Sequence, residues 1–126
     1  MPTEDQLKKE IEDLYTRFYM EGFRTNDISL IDQIVRYPIA YLKNGTVEMV
    51  DHYPVDPAQL KAEKQWDHST DWYFEVSAVN DLNAHVVASA TRRRADGSQI
   101  ERVHAFYDFT KVDGAWKMYA LADIVF

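Results

Sequence analysis

The best candidates for acid–base chemistry in this chain lie on two predicted strands that flank one tight turn. Asp113-Gly114 between extended runs is typical of a two-residue hairpin loop, and such a loop pairs Val112 with Ala115. Counting back from that pair places His104 directly opposite Asp123. A carboxylate beside an imidazole fixes the tautomer of the ring and raises its basicity. The spacing therefore predicts proton abstraction or transfer, with His104 as general base or acid and Asp123 as its orienting partner.

The same alignment predicts a second polar row on this face of the sheet. Asp108 faces Tyr119 across the last hairpin, and His85 joins them if Asp96-Gly97 is also a two-residue loop. Asp108 is therefore a third candidate catalytic residue. Phe106 lies between the two rows.

The opposite face of these strands is almost wholly apolar, which leaves two interpretations open. The sheet either turns its polar face towards a pocket, or buries its apolar face beneath helices and leaves the polar face for solvent or a sheet-to-sheet dimer contact. A one-residue slip would exchange the faces, and β-bulges, which are frequent in strongly bent sheets, produce such a slip. The apolar face in the turn-based register comprises Val86, Ala88, Ala90, Val103, Ala105, Tyr107, Phe109, Trp116, Met118, Ala120, Ala122 and Ile124.

Three helices are predicted to precede these strands. The first spans residues 3–21, with an apolar stripe at helical spacing and Gly22 as its stop. The second spans residues 28–36 and ends before Tyr37-Pro38, because a residue that precedes proline avoids helical geometry. The third spans residues 56–66 and opens with an aspartate cap followed by proline.

The predicted strands form a hairpin and a meander. Asn44-Gly45 between two extended runs is a strong hairpin signal and predicts strands over residues 39–42 and 46–50. A four-strand antiparallel meander follows, with strands over residues 72–79, 84–94, 99–111 and 115–125. Helices and strands that are segregated along the chain indicate an α+β fold. We expect a single domain over residues 1–126, a usual domain length.

Composition argues against several classes of function. With 14 Lys and Arg against 21 Asp and Glu, the net charge of −7 disfavours nucleic-acid binding. The chain has no cysteine, its four histidines lack metal-ligand spacing and its four glycines lack a nucleotide-binding pattern, so we expect no metal and no cofactor. The basic run at residues 92–94 is typical of a solvated strand end, with phosphate binding as the alternative. The sequence shows no signal-peptide or membrane-spanning stretch, so we expect a soluble, cytoplasmic protein.

Two stretches carry a resemblance to a known superfamily: LYTRFYMEGFRTNDISLIDQIV in the first two helices and HAFYDFTKVDGAWKMYALADI in the last hairpin. They resemble the nuclear transport factor 2-like superfamily, which includes SnoaL-type polyketide cyclases and ketosteroid isomerases. The resemblance implies a cone-shaped single domain, with three N-terminal helices packed on a strongly curved, mostly antiparallel sheet that ends in the four-strand meander. It also implies a hydrophobic pocket at the open end and a homodimer, which we expect to form through the sheet.

The resemblance assigns some catalytic positions and leaves others unfilled. The helix-one tyrosine that donates to the enolate oxygen in ketosteroid isomerases corresponds to Tyr19. The general-base aspartate of that family has no counterpart, because the equivalent strand holds residues 41–43 without a carboxylate, and the family's second acid falls near Phe106. SnoaL-like cyclases place a strand carboxylate near a histidine, and His104 with Asp123 is the comparable pairing here.

Aromatic side chains are abundant near the expected mouth of the pocket, where Tyr19, Tyr41 and Trp66 join Phe106 and Tyr119 as candidate ligand-binding residues. A core filled by these aromatic side chains, with no cavity, is the alternative. We therefore expect a domain that binds a small apolar molecule and acts as a cofactor-free isomerase, cyclase or dehydratase. The alternative is a non-catalytic ligand-binding module or a dimeric interaction module.

Overall fold

A long helical segment opens the fold and packs against a six-stranded sheet. The computed structural model describes residues 2–126, so Met1, the first residue of the predicted domain, lies outside the described residues. The segment begins as predicted, because Thr3 and Gln6 form a capping box at its N-terminus. Its parts are α1 (Glu4–Leu14), one π-helical turn (Tyr15–Met20) and α2 (Glu21–Thr25).

Gly22 lies inside this segment and does not end it, which corrects the prediction. A Cβ at Gly22 would come within 2.7 Å of Ile31 Cγ1, so the missing side chain allows α3 (Ile28–Asp32) to pack closely on α2. The segment ends at Asn26, whose φ of 56° is the left-handed conformation typical of a helix C-cap.

The second helix is shorter than predicted. α3 ends at Asp32, and Val35, which the prediction places in the helix, opens strand β1 (Val35–Lys43). Ile34 O accepts a hydrogen bond from Met118 N, and Val35 pairs with Met118. β-branched residues favour extended structure, and pairing with a neighbouring strand outweighs the helical periodicity here.

The remaining elements follow the predicted order. α4 (Pro57–Lys64) is capped by Asp56, whose carboxylate accepts a hydrogen bond from Ala58 N. Within residues 2–126, no helix is long and apolar enough to cross a membrane. The other strands are β2 (Thr46–Val50), β3 (His68–Val79), β4 (Asn83–Arg93), β5 (Gln99–Val112) and β6 (Ala115–Val125).

The six strands form one curved sheet in the order β2-β1-β6-β5-β4-β3. Neighbouring strands are antiparallel, except that β1 runs parallel to β6 and so joins the predicted hairpin to the predicted meander. The helices and strands are segregated along the chain, and the fold is α+β, as predicted.

A β-bulge in β6 changes the register that the last turn sets. The turn itself is as predicted, with Val112 paired with Ala115. The pairing then shifts between Asp108 and Phe109, so that Phe109 lies opposite Met118 and Asp108 opposite Ala120. Tyr119 is therefore the extra residue of the bulge. Every residue of β6 after it points to the face opposite the one that the regular hairpin register predicts.

The predicted pairing of His104 with Asp123 is consequently wrong. His104 lies opposite Ile124, and Asp123 lies opposite Ala105. The predicted register between β4 and β5 is confirmed, because it places His104 opposite Ser89.

The inner face of the sheet holds the core. This face matches the predicted apolar face through β4, β5 and the start of β6. After the bulge the prediction is wrong, because Ala120, Ala122 and Ile124 lie on the outer face. Leu121 takes their place inside and is 0% exposed, whereas Ile124 is 61% exposed.

Candidate functional site

An aromatic-walled pocket opens between the helical segment, α4 and the inner face of the sheet. Its volume is about 470 Å³ including the open mouth, of which about 40 Å³ is wide enough to admit the centre of a water molecule. One water needs roughly 10–15 Å³ by that measure, so this part of the pocket holds about three water molecules, and a larger ligand would extend into the open mouth. The walls include Tyr15, Tyr19, Phe23, Trp66, Trp72 and Tyr107, and the charged side chains among the lining residues are Arg92 and Asp123.

The π-helical turn positions the tyrosines of this wall. Buried apolar side chains recur every four residues along the segment, from Leu7 through Tyr19 to Phe23. At 3.6 residues per turn, each four-residue step drifts by about 40° around a regular helix. The π turn is wider and rotates less per residue, which offsets part of that drift and keeps the stripe on the pocket side. Tyr15 and Tyr19 stack there with ring centroids 4.7 Å apart.

Three buried tyrosine hydroxyls form one hydrogen-bonded cluster. Tyr19 Oη lies 2.8 Å from Tyr53 Oη and 3.1 Å from Tyr107 Oη. Burial raises the pKa of all three phenols well above its ordinary value, so the hydroxyls remain protonated. Three hydroxyls carry three protons, and the two bonds between them use only two. Tyr53 and Tyr107 both donate to Tyr19, so the proton of the Tyr19 hydroxyl is the spare donor, and Tyr19 lines the pocket.

Asp123 is the carboxylate of the pocket. The Tyr41 hydroxyl donates to Asp123 Oδ2 at 3.4 Å, and no hydrogen bond within residues 2–126 reaches Oδ1. Burial raises the pKa of Asp123 above its ordinary value, against the opposing charges of Lys43 and Arg92. A carboxylate with a raised pKa is a stronger base than an exposed aspartate, which suits proton abstraction near neutral pH.

Arg92 is buried, which corrects the prediction of a solvated strand end for this residue. It is 9% exposed and lines the pocket. Glu101, on the neighbouring strand β5, pairs with both Arg92 and Lys64. The β4–β5 register sets Arg92 opposite Glu101 and so fixes this contact.

Half of the predicted site residues lie at the pocket. Tyr19, Trp66 and Asp123 line it, and Tyr41 reaches Asp123 from β1. The sequence reasoning missed Tyr53, which lies in the loop between β2 and α4 and carries no pattern that distinguishes it from other loop tyrosines.

The other four predicted residues lie on the outer face of the sheet. His104 is exposed and packs edge-on against Phe126, and Phe106 is 37% exposed. Asp108 Oδ1 lies 3.9 Å from His85 Nε2 and makes no hydrogen bond within residues 2–126, and Tyr119 is the bulge residue beside this row. The bulge at Tyr119 separates this outer row from Asp123.

Within the part of the chain that the structure describes, no group of three His, Cys, Asp or Glu side chains is arranged to hold a metal ion. The ionisable side chains that line the pocket are Arg92, Asp123 and the tyrosines Tyr15, Tyr19 and Tyr107.

Residues 9–123 match the model of a protein family described as NTF2-like protein (DUF6841). The chain belongs to this family. The superfamily predicted from the helix-one and last-hairpin stretches is thus confirmed, and no curated protein matches the chain significantly in sequence.

Solved structures of NTF2-like proteins share the fold at low sequence identity. An NTF2-like protein of unknown function from Silicibacter pomeroyi is 15% identical over 100% of both chains, with a TM-score of 0.64. One from Shewanella oneidensis is 14% identical over 91% of this chain and 96% of its own, with a TM-score of 0.67. The hexachlorocyclohexane dehydrochlorinase LinA-type3 from Novosphingobium barchaimii is 14% identical over 93% of this chain and 84% of its own, with a TM-score of 0.62. These likenesses establish the cone-shaped fold alone.

Proposed function

We propose that this NTF2-like protein binds a small, largely apolar molecule and catalyses a cofactor-free proton transfer on it. The observation that carries the proposal is that a carboxylate with a raised pKa and a buried cluster of hydroxyl donors face one aromatic-walled pocket. A base and an oxyanion donor that line the same cavity are the two components that enolisation needs.

The proposed step begins at Asp123. Its carboxylate removes a proton from a carbon next to a carbonyl, so the C–H bond breaks and an O–H bond forms on Asp123. The electron pair moves onto the carbonyl oxygen, and the enolate accepts the spare hydrogen bond of the tyrosine cluster around Tyr19. Where a carbon–carbon double bond is conjugated with the enolate, return of the proton to the far carbon of that double bond gives isomerisation. Where the next carbon carries a leaving group, the electron pair returns from the oxygen, a carbon–carbon double bond forms and the group departs with its bonding pair, which gives elimination.

This assignment changes the role of Asp123 from orienting partner to general base. His104 and Asp108 lie on the outer face and take no part in the proposed step. The dehydrochlorinase in the fold comparison supports the view that this fold can hold a reaction.

The proposal is tested by hydrogen–deuterium exchange at carbon. Small aryl and cyclic ketones, such as acetophenone, 2-indanone and cyclohexenone, are incubated with the protein in D₂O, and deuterium uptake next to the carbonyl is followed by NMR. We expect the wild type to accelerate the exchange and Asp123→Asn to lower its rate by about 100-fold or more, as loss of a general base does. Asp108→Asn, which alters a carboxylate on the outer face, is the matched control and is expected to retain the rate. Absence of exchange with every ketone would favour the non-catalytic binding module.

The outer face of the sheet supports the predicted homodimer as a second element of the proposal. Large apolar side chains are exposed together there, and a second copy of the same face would cover them. The exposed side chains include Tyr73, Phe106 and Ile124.

A further inference from the structure

Arg92 offers hydrogen-bond donors to the pocket that no other side chain uses. Its guanidinium carries five N–H donors in a planar fork. Within residues 2–126, its one hydrogen bond runs from Nη1 to Glu101 Oε2. The side chain is 9% exposed and lines the pocket, so the remaining donors at Nε and Nη2 are available to a ligand there.

The ion cluster that holds Arg92 keeps a net positive charge. Lys64 Nζ lies 2.8 Å from each carboxylate oxygen of Glu101, and Arg92 shares the same carboxylate. Burial opposes ionisation of Glu101, but the hydrogen bonds from Lys64 and Arg92 hold its pKa below the ordinary value, so it is a carboxylate. Two cations against one anion leave one positive charge beside an aromatic-walled cavity.

Asp123 does not neutralise this charge directly. The two side chains line the same pocket, yet no Arg92–Asp123 ion pair occurs within the described residues. A ligand that lies between them meets a base at one side and a fixed cation with free donors at the other. A planar carboxylate matches the guanidinium fork, and in an apolar cavity its charge needs such a partner.

We infer that the ligand of this pocket is a small apolar carboxylic acid whose carboxylate is bound by Arg92. This inference rests on the proposed function, because it names the substrate class of the same site. The acid would place its carboxylate at Arg92 and its reacting carbon at Asp123, with aromatic walls around the apolar part. The Lys64–Glu101 pair holds the guanidinium in position from α4 and β5.

The test compares a charged probe with its neutral isostere. Binding of phenylacetate and phenylacetamide is measured by titration calorimetry on the wild type, Arg92→Gln and Arg93→Gln. We expect the wild type to bind phenylacetate about tenfold or more tightly than phenylacetamide, as a hydrogen bond to a charged group does. Arg92→Gln is expected to abolish that preference while its affinity for phenylacetamide stays within about twofold of the wild type. Arg93→Gln, whose side chain contacts Thr70 and Asp71 outside the pocket, is expected to keep the preference.

Four outcomes would overturn the inference. The first is equal affinity of the wild type for the two probes, which requires no variant to fold. The second is no binding of either probe at millimolar concentration. The third is a preference for phenylacetate that persists in Arg92→Gln. Phenyl phosphate that binds more tightly than phenylacetate, with the same dependence on Arg92, would assign the site to a phosphoryl group instead.

A further variant separates this inference from the proposed reaction. Asp123→Asn is expected to retain the preference for phenylacetate, because Arg92 rather than Asp123 binds the carboxylate. Preference for phenylacetate without any carbon exchange contradicts the proposed reaction alone. Carbon exchange without that preference contradicts the substrate class alone.

Discussion

At the scale of single residues, the account depends on where burial places a few ionisable side chains. Asp123, Tyr19 and Arg92 are each polar groups held at an apolar cavity, where removal from water changes their protonation and strengthens their interactions. Asp123 and Tyr19 were predicted as site residues from spacing and resemblance. Arg92 was not, because a run of three basic residues resembles a solvated strand end, and only the pairing with Glu101 shows that its first member turns inward.

The raised pKa of Asp123 predicts that the ionised carboxylate lowers the stability of the fold at neutral pH. The folded protein binds this proton more tightly than the unfolded chain does, so the group stabilises the fold below the ordinary pKa of 3.8. That stabilisation is lost as the pH rises through the folded-state pKa. Asp123→Asn cannot ionise and keeps an acceptor for the Tyr41 hydroxyl. We therefore expect this variant to have a higher free energy of unfolding than the wild type at neutral pH, with a difference that shrinks as the pH falls.

Urea unfolding of the wild type and Asp123→Asn, at neutral pH and below pH 3.8, measures this difference. A variant that is less stable than the wild type at neutral pH would show that the ionised carboxylate stabilises the fold, and the assignment of a raised pKa would be wrong.

At the scale of elements, the bulge in β6 decides which side chains meet. The turn at Asp113-Gly114 was predictable from its residues, and so was the pairing that leads away from it. The extra residue at Tyr119 was not, because Tyr119, Ala120 and Leu121 can each occupy either face without an obvious polarity error. One unpredicted residue moved Asp123 from the outer row with His104 to the inner pocket.

The bulge predicts which residues near the end of β6 matter for stability. Leu121 is fully buried, so Leu121→Ala is expected to lower the free energy of unfolding by about 2–5 kcal/mol. Ile124 is 61% exposed. In the monomer, Ile124→Ala is therefore expected to change the free energy of unfolding by about 0.5 kcal/mol or less, so both variants are compared in a Phe106→Glu background, which disrupts the proposed dimer contact. Denaturant unfolding of the pair measures both values. The reverse order would indicate the regular hairpin register, in which Ile124 is inside.

At the scale of the whole molecule, the fold was predicted better than the site. Segregated helices and strands, the capped helix starts and the hairpin turns each follow from local residue chemistry and lead to the α+β cone. The contents of the pocket depend on the parallel pairing of β1 with β6 and on the bulge, which are long-range features that local patterns do not encode.

The exposed outer face predicts a dimer through the sheet. Phe106 lies near the middle of this face, so Phe106→Glu places a charge in the proposed contact and is expected to shift the protein towards monomer. Val47→Glu, on the edge strand β2 and 70% exposed, is the control and is expected to leave the dimer intact. Size-exclusion chromatography with light scattering measures the mass of each. A monomeric wild type, or a Phe106→Glu variant that remains a dimer, would contradict the proposed contact.

The central claim is that Asp123 acts as a base on a molecule in the pocket, and the most direct measurement is the ratio of two exchange rates. Asp123→Asn and Asp108→Asn are compared side by side for deuterium uptake into the ketone that the wild type exchanges fastest. The account predicts that the exchange rate of Asp123→Asn is lower than that of Asp108→Asn by about 100-fold or more. Equal rates in the two variants would contradict it, because the carboxylate at the pocket would then contribute nothing that a carboxylate on the outer face does not.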